Sequence, residues 1–210
     1  MRIELWFAFV ATASAMLVVP GPTILMVIGQ SLAAAPMGGL RRWRQVLPLV
    51  AGVAAGDAVA MSVSLAGLGA ILATSATAFT IMKVAGAGYL VWLGLRQWRA
   101  PVGTMAVPPL PPAHAARQAF VVTALNPKGI AFFVAFVPLF IDPAAAYVPQ
   151  AIALIVTFVT LGAMNAAAYA LLAGRLSGAV RQPHVRRACN RVGGGALIAA
   201  GLATAALQRG

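Results

Sequence analysis

Apolar residues in this chain fall in long unbroken runs, and the polar residues collect between the runs rather than alternating with them. An uncharged apolar stretch of about 20 residues is what a helix needs to cross a bilayer, and continuity without alternation argues against β-barrel strands. The pattern predicts six helical segments, roughly over 5–34, 46–72, 79–98, 118–141, 150–173 and 192–207. The sixth is barely long enough to span. Pro36-Met37-Gly38-Gly39 followed by Arg41, Arg42 and Arg44 predicts a basic loop, as do Arg175, Arg181, Arg186, Arg187 and Arg191. Residues 73–78 predict a tight turn, and Asp142-Pro143 with Pro149 another. A proline-rich stretch, 100–116, reads as a solvated linker and divides the chain into halves 1–99 and 117–210. The expected fold is an all-α integral membrane protein with one transmembrane domain of six helices. Halves of three helices necessarily run in opposite orientation, as in an inverted repeat.

Two of these segments are interrupted from within. Pro20-Gly21-Pro22 lies in the first and Asn126-Pro127-Lys128 in the fourth. Proline lacks an N–H and clashes with the preceding turn, so each site predicts a broken helix. Broken backbone at membrane depth is tolerated only where protein or a wet cavity surrounds it, and such breaks recur at the substrate sites of secondary transporters. The alternative for each is a structural kink. Pro138 predicts a simple kink near the outer end of segment four.

Composition agrees with the membrane assignment: 61% of residues are hydrophobic, 9% are charged, and mean hydropathy is +0.91. A net charge of +12 invites a nucleic-acid reading, but the arginines sit in short clusters between apolar runs. Eleven of the fifteen Lys and Arg follow segments one, three and five, which places those connections at the cytoplasmic face and both termini outside. The single Cys189 excludes an internal disulfide. His114 and His184 have no Cys or carboxylate neighbours in sequence, so no metal, cofactor or nucleophile–His–acid site is expected. Ala13-Ser14-Ala15 resembles a signal-peptide cleavage site, yet the chain stays apolar well beyond it, and the expectation is a retained N-terminus.

Charges inside apolar segments mark candidate chemistry. Asp57 is the one acid within any of them, about 13 residues or ~20 Å of helix from Arg44. A carboxylate at mid-depth costs ~2.5–3.5 kcal/mol on insertion scales, so it should face a partner or water, where it exchanges a proton or binds an ammonium. Gly52 and Gly56 beside it form a small-xxx-small face for helix approach. Lys83 stands about one turn into segment three and either snorkels outward or pairs with Asp57 or a substrate carboxylate. Lys128 follows a proline break, with Asn126 offering donors and acceptors. Asn165 and Tyr169 are suited to a cavity or to a helix–helix bond. One acid, two lysines and two broken helices fit a zwitterion, whose carboxylate needs a cation or helix N-terminus and whose ammonium needs an acceptor.

In these residues the chain resembles the lysine exporter (LysE) family, which includes homoserine/threonine exporters. The matching stretches are Pro20-Gly21-Pro22, Gly56-Asp57, the run from Lys83 to Gly94, Asn126-Pro127-Lys128 with Phe132-Phe133, and Phe136-Val137-Pro138-Leu139-Phe140. The resemblance implies a bacterial inner-membrane exporter of amino acids or close analogues, coupled to the proton gradient. It implies that Pro20, Gly21, Pro22, Asp57, Lys83, Asn126, Pro127 and Lys128 line the path. The expected partners are an amino acid, protons and the lipid bilayer, with a homodimer as the alternative use of the glycine-rich faces. Two other readings stand beside it: a lipid-phosphate enzyme, for which three acids are too few, and a passive pore or structural subunit in which Asp57 and Lys83 merely hold helices together.

Overall fold

The computed structural model describes residues 1–34, 39–74, 76–101, 110–173 and 182–206, and every regular element among them is helical. The first apolar run is two helices, α1 (Ile3–Val18) and α2 (Pro22–Ala33), bent by 55° across the Pro-Gly-Pro break. The fourth is likewise α5 (Pro112–Ala124) and α6 (Pro127–Ala135), bent by 41° at Asn126-Pro127 and followed by a 3₁₀ turn over Val137–Phe140 at Pro138. Between them lie α3 (Gly39–Thr74) and α4 (Ala76–Trp98), and after them α7 (Tyr147–Ala173) and α8 (Pro183–Ala206). Arg42–Ala70 of α3 and the whole of α7 are each long and apolar enough to cross a membrane alone, and the two bent pairs qualify when each is taken as one span.

Several boundaries differ from those the sequence predicts. Arg41, Arg42 and Arg44 belong to the first turns of α3, and Arg186, Arg187 and Arg191 to α8, which starts at Pro183 rather than near 192. Arginine is a good helix former, so a cluster of them signals an interface without signalling a loop. Helix α5 begins at Pro112, inside the stretch read as linker, because proline at a first helical position gives up an N–H that has no intrahelical partner anyway. Pro36, Met37, Gly38, Pro108, Pro109, Arg175, Arg181 and Ser75 lie outside the described residues.

Two packing seams fix the arrangement. Along one, α3 lies against α5 so closely that a methyl on Gly52 would meet the carbonyl of Ala116, and one on Gly56 would stand 2.7 Å from Thr123 Cβ. The Gly52/Gly56 face therefore packs internally. Along the other, α4 lies against α8 with backbone nearly touching backbone: a Cβ on Gly94 would be 2.6 Å from Gly194 O, and one on Gly201 would be 2.6 Å from Ala87 O. Arg42 on α3 donates to the carbonyls of Ala170 (2.9 Å) and Leu171 (3.2 Å), satisfying two acceptors in the last turn of α7. Trp6 near the start of α1 donates its indole N–H to Thr157 Oγ1 at 3.0 Å, tying α1 to α7.

The apolar core is divided by the break. One cluster gathers Phe9 of α1 with Phe132, Phe133, Phe136, Phe140 and Phe158. The other gathers Val27 and Ile28 of α2 with Leu49, Val53, Ala119 and Ala170. Val53 and Met61 fall in different clusters, and Asp57 stands between them on α3.

Candidate functional site

Ending a helix inside a membrane leaves its last carbonyls without partners. At the end of α1 each of them is met by a side chain from elsewhere. Lys128 Nζ donates to Met16 O at 2.9 Å and to Val19 O at 2.7 Å. Asn165 Nδ2 donates to Leu17 O at 3.0 Å, and Tyr169 Oη to Val18 O at 2.6 Å. Gln97 Nε2 approaches Pro20 O at 3.5 Å. Four consecutive carbonyls are thus capped from α6 and α7. A cation there is also favoured by the negative end of the α1 dipole. Lys128, with 5% of its surface exposed, is held by this arrangement rather than by an acid. Asn165 and Tyr169, one turn apart on α7, bond to backbone at the break.

The second break is built to fit the first. Asn126 is the N-cap of α6: its Oδ1 accepts from Lys128 N at 3.1 Å, and Pro127 takes the first helical position. Its amide Nδ2 donates to Thr23 Oγ1 at 3.2 Å, and Thr123 Oγ1 also contacts Thr23 Oγ1 at 3.4 Å. Thr23 lies in the first turn of α2, so one hydroxyl ties both helix restarts together. The first intrahelical donor of α2 is Leu25 N, bonded to Gly21 O at 2.9 Å. The amides of Thr23 and Ile24 therefore precede the helical ladder at the positive end of the α2 dipole. Gly21 lies flat against Lys128, with a Cβ there 3.4 Å from Lys128 Cδ.

Asp57 faces this assembly from α3. It is 8% exposed, and among the described residues no cation or hydrogen-bond donor reaches its carboxylate. The one ion pair described, Arg2 with Asp142 at 3.6 Å, lies elsewhere. The carboxylate fits because α7 carries glycine opposite it: a Cβ on Gly162 would stand 2.6 Å from Asp57 Oδ2. Gly162→Ala is expected to displace the Asp57 side chain and to lower flux at least tenfold, with helical content by circular dichroism unchanged; flux is read by efflux from liposomes carrying the purified protein.

Asp57, Lys128, Gly21, Thr23, Asn126, Gly162 and Asn165 line one cavity of about 40 Å³. A wider cavity of about 330 Å³ adjoins it, sharing Gly21, Asn126 and Lys128. It is bounded by Pro20, Gly21, Pro22, Asn126, Pro127 and Lys128, together with Arg96, Gln97 and Asn190. The structure therefore brings together seven of the eight residues singled out in the sequence: all six at the breaks, Lys128 among them, and Asp57. Lys83 is on α4, and its side chain lies outside the described residues. The sequence gives no signal for Thr23, Arg96, Gln97, Gly162 or Asn190. Each is a commonplace residue at a segment end or within an apolar run, and only the fold brings them to the cavity.

Helices interrupted within apolar runs, with a buried acid and a buried amine lining one cavity, are the arrangement of α-helical membrane transporters. The LysE type translocator family model matches residues 5–207, and the chain belongs to this family. It is 34% identical over 205 residues to an uncharacterized membrane protein of Vibrio cholerae, covering 96% of this chain and 97% of that one. It is 30% identical to the homoserine/homoserine lactone efflux protein of Salmonella typhimurium, with 96% of each chain covered. It is 30% identical to the leucine efflux protein of Salmonella choleraesuis over 68% of this chain and 66% of that one. No solved structure matches. The family's description and the names of the two Salmonella relatives are those of transporters, a translocator and efflux proteins rather than enzymes.

Proposed function

We propose that this protein exports amino acids or close analogues across the bacterial inner membrane by proton antiport, with Asp57 and Lys128 at the two poles of the path. The observation that carries this reading is a buried carboxylate with no donor among the described residues, facing a cavity that also holds a buried ammonium and the first turn of α2. An α-amino acid entering from the wide cavity meets Lys128 and the α2 N-terminus with its carboxylate, and Asp57 with its ammonium. Proton uptake by Asp57 then releases the ammonium, which couples export to the inward proton gradient. Pro20, Gly21, Pro22, Asn126 and Pro127 supply the open backbone, and Lys83 on α4 completes the charged set.

The arrangement is best described as six spans: two bent pairs and four continuous helices. In the two halves, α1–α2 corresponds to α5–α6, α3 to α7, and α4 to α8, each bent pair resuming at a proline in its first helical position. Both termini lie on the periplasmic side, as basic residues near the span ends favour. Close glycine contacts are spent within the chain on the α3–α5 and α4–α8 seams, which leaves the outer faces of α3 and α7 for a homodimer.

Proteoliposomes loaded with labelled leucine, homoserine, threonine and lysine test the reading. An imposed pH gradient is expected to drive efflux of at least one of the four well above that of empty liposomes. Flux that ignores the gradient would assign the protein to the passive pores.

A further inference from the structure

Where α4 ends and α8 begins, Arg99, Arg187 and Arg191 surround a cavity of about 410 Å³, together with Trp98, Ala100, Pro101 and Asn190. We propose that this cavity is a binding site for the phosphodiester headgroup of an anionic lipid. The proposal rests on charge balance. Three guanidinium groups are gathered at one mouth, and the chain holds only three acids with which to neutralise them: Glu4, Asp57 and Asp142. None of the three lines the cavity. Glu4 is in the first turn of α1, Asp57 is buried against Gly162, and Asp142 pairs with Arg2. No carboxylate among the described residues is placed to neutralise these exposed guanidinium groups, so an anion from outside the protein meets no competitor there.

Position and geometry select the source. The site sits at the ends of two helices that the sequence pattern reads as spans, with Trp98 packed over Gly195 beside it; indoles favour the membrane–water boundary. Basic pockets between helices at that depth accept lipid headgroups, and arginine forks match phosphate oxygens. The walls are fixed from within: Asn190 Nδ2 donates to Ala100 O at 3.3 Å, holding the start of α8 to the end of α4. Ala100 and Asn190 also bound the wide cavity beside Lys128, so a headgroup seated here shares a wall with the proposed substrate route. The site itself does not depend on what is carried.

Detergent-purified protein is titrated with phosphatidylglycerol, phosphatidylcholine or inorganic phosphate, and binding is read as bound lipid by native mass spectrometry and as the shift in thermal unfolding. Phosphatidylglycerol is expected to bind and stabilise, while phosphatidylcholine and phosphate do not. R187Q/R191Q is expected to weaken its retention about thirtyfold. R187K/R191K should keep most of it, and R44Q, which removes a charge elsewhere, should leave it unchanged. Equal retention by R187Q/R191Q and wild type, or equal binding of phosphatidylcholine, would overturn the site. Stabilisation by phosphate alone matching that by phosphatidylglycerol would make it a free-anion site and overturn the lipid assignment. If R187Q/R191Q is misfolded, R99Q takes its place, with about fivefold weaker retention expected and wild-type retention counting against the proposal.

Discussion

Lys128→Met should lower efflux at least a hundredfold and bring the unfolding midpoint in detergent down by roughly 5–15 °C. The reason for the second effect is local. The Lys128 ammonium is the donor for Met16 O and Val19 O, and methionine leaves one part-buried and one buried carbonyl without that donor. An unsatisfied buried acceptor costs ~1–3 kcal/mol, and in a chain of about 200 residues each kcal/mol moves the midpoint by ~2–4 °C. Asn165→Leu exposes only Leu17 O and serves as the comparison, with about half that loss of stability. The two variants separate structure from transport. Should Lys128→Met at low temperature, still folded by circular dichroism, export at the wild-type rate, Lys128 is a helix cap and nothing more.

Asp57→Asn carries the opposite expectation for stability. Its carboxylate has no donor to lose among the described residues, and burying an amide costs less than burying a charge. The midpoint should hold or rise. Efflux driven by an imposed pH gradient should fall by two orders of magnitude or more, because an amide carries no titratable proton. Exchange of labelled for unlabelled substrate without a gradient should survive better than net efflux, since the amide oxygen still accepts from an ammonium. Gradient-driven efflux at the wild-type rate in a folded Asp57→Asn protein would remove this residue from the coupling step.

The two proposals draw on features that differ in how far the sequence alone reveals them. Pro20-Gly21-Pro22 and Asn126-Pro127 announce helix breaks because the limits on proline are covalent and local. Asp57 stands out because a carboxylate in an apolar run has few bland explanations. What Lys128 does is a different kind of fact. Its acceptors lie more than a hundred positions earlier in the chain, and no spacing rule joins residue 128 to residues 16 and 19. The same holds for Thr23, which links two helix starts through Asn126, and for Gly162, one of 21 glycines until Asp57 is placed against it. Helices α3 and α8 extend into the arginine clusters, since charge reports proximity to water while backbone conformation follows propensity and packing. The family resemblance rests on five short stretches, and the two at the breaks are where local chemistry constrains the chain most.

The interlock of α4 with α8 has a mechanical consequence. Peptide groups meet at Gly94, Gly194 and Gly201 with Val91 and Ile198 wedged beside them, so neither helix can slide or roll on the other without steric collision. The pair behaves as a single beam. Among the described residues, bending comes cheapest at the two interrupted joints, where the chain has already given up its helical ladder.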